Sequence, residues 1–240
     1  MDFELVRIAL ALAMLGIASF LDLRKREVSD LLWVAFGIAA GIVYIFDFPA
    51  SPAEQATVAL SIALTAGISF GIYKSGMFGG ADALGLVVLA AIMPTYSGQV
   101  ALSQVTLHPI SPLIVLSNAI ILSLFGVVVN IAKNFAYARN SGSLFAGLEH
   151  ESPMRKTVAL LIGHRMKEQP RYAFPIETTV DGKRRFDFAL KSAENAEYEA
   201  RSDVWVMSGM PLLVYMLAGF IVMLLTGDLM ALAFSAFRPA

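Results

Sequence analysis

Ser75-Gly76-Met77-Phe78-Gly79-Gly80-Ala81-Asp82 decides how this chain is read. Three glycines and an alanine lead into one acid, and that acid opens an apolar run over residues 83–93. Glycine lets a backbone turn, or approach a neighbour, where a Cβ would block it. A carboxylate beside so much apolar sequence is costly unless it has a partner, water or a chemical task. Upstream lies a second apolar run, residues 55–73, so the stretch joins two segments suited to a bilayer.

Moving outward, the pattern of an acid at the edge of an apolar run recurs at Asp22, in Phe20-Leu21-Asp22-Leu23-Arg24. The composition agrees with a membrane setting. Of 240 residues 57% are hydrophobic and 15% charged, whereas a soluble domain has about a quarter of its residues charged. The absence of cysteine excludes disulfides, thiolate zinc sites and a cysteine nucleophile. No cleavable signal peptide is expected, because Glu4 and Arg7 interrupt the first apolar run early and no small-residue cleavage site follows it. Gly76, Gly79 and Gly80 lack the Lys-Ser/Thr that completes a phosphate loop, so no nucleotide or nucleic-acid partner is expected.

The pattern predicts an all-α polytopic membrane protein with six transmembrane helices over residues 3–21, 31–46, 55–73, 82–93, 113–132 and 204–225. Gly37 with Gly41, and Gly67 with Gly71, have the small-xxx-small spacing that allows close helix contact. The membrane domain is 1–132, and 204–240 carries the last helix and a tail too short for a further span. Between them, residues 133–203 hold twelve of the eighteen basic residues and ten of the nineteen acids. This insert is read as a small cytoplasmic α+β unit. Residues 174–180 and 183–188 flank Asp181-Gly182, which predicts a β-hairpin with a primed turn. Residues 192–201 read as polar and irregular, and Trp205 as an interface residue opening the last span.

Orientation follows from the basic residues. Arg24, Lys25, Arg26, Lys74 and the twelve of the insert all fall on one side, leaving Arg7 and Arg238 on the other. The positive-inside rule makes the first side cytoplasmic and puts both termini outside, in a multi-pass protein of the cell membrane. Asp22 and Asp82 then share the cytoplasmic face. Two carboxyls held close together share a proton, so one takes a proton from water while the other polarises a carbonyl. By spacing alone two other readings stay open. Asp82 serves equally as a helix cap, and Asp22 as one solvated charge of a crowded turn. A transporter using both acids as ion sites is a third reading, although their shared face and the lack of an inverted repeat speak against it.

At these residues the chain resembles type IV prepilin peptidases and archaeal preflagellin peptidases. Asp22-Leu23-Arg24-Lys25-Arg26-Glu27-Val28-Ser29-Asp30 looks like their first motif, and Gly79-Gly80-Ala81-Asp82 stands where they carry GxGD. Trp205-Val206-Met207-Ser208-Gly209-Met210-Pro211 is similar to the segment opening the last helix of the archaeal branch. The resemblance implies a membrane aspartic endopeptidase that needs no cofactor or metal. It would remove the short basic leader from archaellin or pilin precursors, with Asp22 and Asp82 as the catalytic pair. Gly79, Gly80 and Ala81 would lie beside the substrate, and Glu27 and Asp30 would receive the leader's positive charge. Ala81 departs from the family's glycine, adding one methyl; if the site needs only a small residue there, alanine serves. The bacterial relatives' paired CxxC motifs are missing, so their methyltransferase activity is not expected. His108, His150 and His164 read as loop or solvated residues, and Asn118 and Asn130 as inter-helix hydrogen-bonding groups.

Overall fold

A computed structural model describes residues 3–76, 79–96, 108–168, 173–189 and 201–236. The described elements run, in order, α1 (Phe3–Lys25), α2 (Asp30–Phe46), α3 (Pro52–Lys74), α4 (Gly80–Ile92), α5 (Ser111–Ser123), α6 (Phe125–Ser141), α7 (Pro153–Ile162), β1 (His164–Met166), β2 (Ala173–Pro175), β3 (Glu177–Val180), β4 (Lys183–Phe186), β5 (Val204–Ser208), α8 (Leu212–Thr226) and α9 (Leu229–Ala236). The chain is mostly helical. By length and composition α1, α3 and the run Ser111–Asn140 can each cross a bilayer, and α8 with α9 adds a broken span bent by 51°. The helices α2 and α4 are apolar but shorter. Two compact units form, Met1–Leu122 with Pro211–Ala240, and Ser123–Met210.

In the first unit α4 is the hub, packed against α1, α2, α3 and α8. Leu86, Leu89 and Ile92 of α4 are buried with Met14, Leu15, Trp33, Leu213, Met216 and Phe220 in one cluster. The tightest approaches are at Gly85 and Gly219. A Cβ on Gly85 would stand 3.0 Å from Leu213 and 3.2 Å from Trp33, and one on Gly219 would lie 2.7 Å from the carbonyl oxygen of Val115. The expectation that Gly37, Gly41, Gly67 and Gly71 mark close helix contacts within the chain is corrected: a Cβ on any of them would meet nothing within 4 Å. Their spacing puts them on one helix stripe, but those stripes are not the ones α4 and α8 use. At the end of α4 away from Asp82, Arg7 donates to the carbonyl of Ile92 (2.8 Å), pairs with Asp47 (3.3 Å) and stacks on Tyr44.

Several predicted boundaries move. The charged residues after Leu21 are not a turn: α1 continues through Lys25, because Leu23, Arg24 and Lys25 are good helix formers and its basic end suits the helix dipole. Arg26 then stops it at φ 56°, donating its N–H back to the carbonyl of Asp22 (3.0 Å). Pro52 begins α3 early through a Ser51–Glu54 capping box. The helix expected to end at residue 132 runs on to Ser141, since its propensity outlasts its hydropathy. Residues 204–208 do not open the last helix; they form β5, and Trp205 is fully buried rather than interfacial. Val204, Trp205 and Val206 are strand-forming residues, and Pro211 keeps the following helix from extending back over them.

The second unit centres on Trp205, with Phe145 stacked on its ring at 5.3 Å and Phe186 edge-on at 5.4 Å. The strand β5 pairs antiparallel with β1 on one side and β2 on the other. The predicted hairpin is present as β3–β4, with Asp181 (φ 52°) and Gly182 (φ 73°) making the primed turn. Two bidentate ion pairs fasten the unit. Arg184 holds the buried Glu177, and Arg165 holds Asp203 while also donating to the carbonyls of Leu144 and Ala146. Glu177 accepts the Trp205 N–H as well (3.1 Å), so the charged pair and the aromatic core are one construction. Residues 192–200 lie outside the described residues, as do Met77 and Phe78 of the stretch that opened the sequence reading.

Candidate active site

Gly76 closes the turn after α3 with φ +72°, a conformation that suits glycine. The chain re-enters the bundle at Gly79, which caps α4, and Asp82 is the third helical residue. Its Oδ2 accepts the Gly79 N–H at 3.1 Å. The capping reading is therefore half right, since the carboxylate serves an orphan N–H without being the N-cap itself. One oxygen so occupied leaves the other for a ligand. Ala81 is helical, outside the positive-φ residues, and its methyl packs against the main core. Alanine is accommodated here because the backbone is ordinary helix and does not call on glycine's freedom.

Asp22 arrives from the opposite helical polarity, on the last turn of α1. A carboxylate there opposes the helix dipole, and Arg26 offsets this, its guanidinium 3.8 Å from Asp22 Oδ2. The left-handed turn at Arg26 folds that side chain back over the helix end. Among the described residues, Asp22 and Arg26 are the charged side chains that act on Asp82 electrostatically. The structure thus brings Asp22, Asp82, Gly79, Gly80 and Ala81 into one neighbourhood, where α1 ends and α4 begins. Glu27 and Asp30 are exposed, the first on the link to α2 and the second at its first residue. Among the described residues, no group of three acids or histidines could hold a metal.

Beside Asp82 is a small cleft walled by Ser69, Ile72, Ala83, Leu86, Leu116, Leu212 and Met216. Sequence reading did not single out Ser69. A signal existed in Ser61, Thr65 and Ser69, spaced by four along α3 and all buried, but hydroxyls barely register in hydropathy. Asn118 does hydrogen-bond between helices, donating to the carbonyl of Gly219, and Asn130 donates to that of Leu161.

Fold and site together define a helical membrane protein with one carboxylate, Asp82, on the wall of a small cleft and a second, Asp22, near enough to act on it electrostatically. Comparison with known families narrows the class. The model of the type IV leader peptidase family matches residues 9–130, and that of the archaeal peptidase A24 C-terminus, type II, matches residues 155–229. No curated protein matches the chain. The chain belongs to the type IV leader peptidase family and is a peptidase of the prepilin/preflagellin kind. The ion-transporter reading finds no support in these comparisons.

Proposed function

We propose that this protein is an aspartic endopeptidase of the cell membrane, cleaving the basic leader from archaellin or pilin-like precursors at the cytoplasmic face. What supports the reading is that Asp22, on the last turn of α1, is near enough to act electrostatically on Asp82, on the first turn of α4, both inside the segment matched by the peptidase family. Asp22, flanked by Arg26, takes the proton from the attacking water. Asp82, the protonated member, hydrogen-bonds the scissile carbonyl and gives its own proton to the leaving amine as the C–N bond breaks, and the proton left on Asp22 restores the pair for the next turnover. Gly79, Gly80 and Ala81 keep the approach clear for an extended backbone. The precursor's apolar helix packs on the open face of α3 at Gly67 and Gly71, and its leader projects toward Glu27 and Asp30. Six membrane crossings, with residues 133–203 as the cytoplasmic unit and both termini outside, complete the topology.

One assay tests this. Full-length enzyme in detergent is given a precursor with a lysine-bearing leader and a second with glutamine in its place. Asp22→Asn and Asp82→Asn are each expected to lose at least about a thousandfold of cleavage while retaining the wild-type melting temperature, because removing one member of a pair that acts as a unit costs nearly the whole effect. Near-normal cleavage by either variant would remove that residue from the mechanism. Glu27→Gln with Asp30→Asn should reduce the preference for lysine a few-fold, as exposed ion pairs contribute about 1 kcal/mol or less. Unchanged preference would place leader recognition elsewhere.

A further inference from the structure

Five described helical hydroxyls in this chain are satisfied close at hand. Thr57, Ser117, Thr157, Thr226 and Ser235 each donate to a carbonyl three or four residues back, the usual resort of a serine or threonine inside a helix. Ser19 and Ser61 reach across to another segment, giving to the carbonyls of Leu213 (2.9 Å) and Pro94 (2.6 Å). Ser69 does neither. It is 2% exposed, and among the described residues its Oγ has no hydrogen-bond partner. A buried hydroxyl in that condition is destabilising, and alanine would avoid the penalty at the same place.

Its location gives the hydroxyl a use. Ser69 and Asp82 are the polar residues on the wall of the cleft, and the remaining six lining residues are apolar. The recess has room for about one water, so an extended peptide that widens it on binding brings main-chain N–H and C=O groups that water no longer serves. A serine hydroxyl can donate to the one or accept from the other. Thr65, one turn away on α3, is also buried and unpartnered among the described residues, and it stands outside the cleft lining. It supplies an internal comparison.

We infer that Ser69 is a substrate-binding residue of the peptidase site, its hydroxyl hydrogen-bonding a main-chain group of the precursor lying across the cleft beside Asp82. The inference rests on the reading of Asp22 and Asp82 as the catalytic pair. The hydrogen bond is made on binding and held through the reaction, so it belongs to KM more than to kcat.

The experiment uses full-length enzyme in detergent with a synthetic precursor carrying a basic leader and the first apolar turns behind it. Ser69→Ala is expected to raise KM about fivefold, the equivalent of one hydrogen bond, with kcat within about twofold. Its melting temperature should equal or exceed that of wild type, since an unserved hydroxyl has been removed. Ser69→Thr keeps the hydroxyl and should keep the wild-type KM, and Thr65→Ala should leave the kinetics unchanged. A Ser69→Ala enzyme with wild-type KM, or a Thr65→Ala enzyme impaired to the same degree, overturns the assignment. Running Asp22→Asn and Asp82→Asn alongside separates the two failures. Inactive aspartate variants with an unaffected Ser69→Ala enzyme reject the role of Ser69 alone. Cleavage that survives in the aspartate variants rejects the pair, and the assignment of Ser69 with it.

Discussion

At the scale of single residues, Ala81 is the position where this chain departs from its family's pattern. It occupies the second residue of α4 in ordinary helical backbone, so Ala81→Gly should keep cleavage within about twofold of wild type. That substitution should destabilise the protein by about 0.5–1 kcal/mol, the usual cost of glycine within a helix. Ala81→Val adds branching at Cβ beside Asp82 and should lower kcat/KM by about tenfold or more. Cleavage rates and melting temperatures of the three enzymes check both statements, and equal rates would show that no steric limit exists there. Asp22 and Asp82 were conspicuous in the sequence because charge in an apolar run is rare and expensive. Ser69 was not, because a hydroxyl hides in a hydropathy plot and its isolation emerges only when every neighbour is placed.

At the scale of elements, the break between α8 and α9 is held by one side chain from α5. Asn118 donates to the carbonyls of Gly219 (3.2 Å) and Gly227 (3.0 Å), and its Oδ1 accepts the N–H of Leu229 (2.9 Å). Gly227 turns the chain at φ +86°, and the buried Asp228 caps α9 through the N–H of Met230 (2.9 Å). Asn118→Leu takes away the side-chain partner of the Gly227 carbonyl and of the Leu229 N–H, at about 1–3 kcal/mol each. The expected result is a clear loss of thermal stability in detergent, with cleavage retained at low temperature. An unaltered melting temperature would mean the break is braced by something else. Helices with long apolar stretches were legible from composition. The edges were not, because hydropathy reports where a segment is oily and not where its backbone stops being helical. Thus α1 ran four residues past its apolar part, and a strand-forming stretch at Val204–Ser208 passed for the start of a span. The Asp181-Gly182 hairpin was legible because its turn chemistry is local.

At the scale of the whole molecule, acid should weaken the second unit. In an unfolded chain histidine titrates near 6.5. Burial, with the nearby Lys133 charge adding to it, pushes His164 down to about 4. The folded form then binds fewer protons than the unfolded one between those values. Stability is full above about pH 6.5 and is lost as the pH falls toward 4. Trp205 fluorescence in a Trp33→Phe background should report a melting temperature that drops across this window, and His164→Gln should flatten the drop. Parallel curves for the two proteins would remove His164 as the cause. The two-part composition was legible as a jump in charge near residue 133, whereas the pairing of Arg165 with Asp203 needs contact between residues far apart in sequence. The hub helix carries a further consequence. α4 has 13 residues where α1 and α3 have 23, a shortfall of about 15 Å of rise. Both α1 and α3 therefore rise past the short helix they pack against, and a short apolar segment favours a locally thinned bilayer. Hydrolysis consumes a water molecule at each turnover, and under the proposed mechanism a short α4 shortens the dry distance that molecule crosses to reach Asp82. A bilayer of longer acyl chains, which resists thinning, should slow this enzyme more than a proteolytic site built on surface loops.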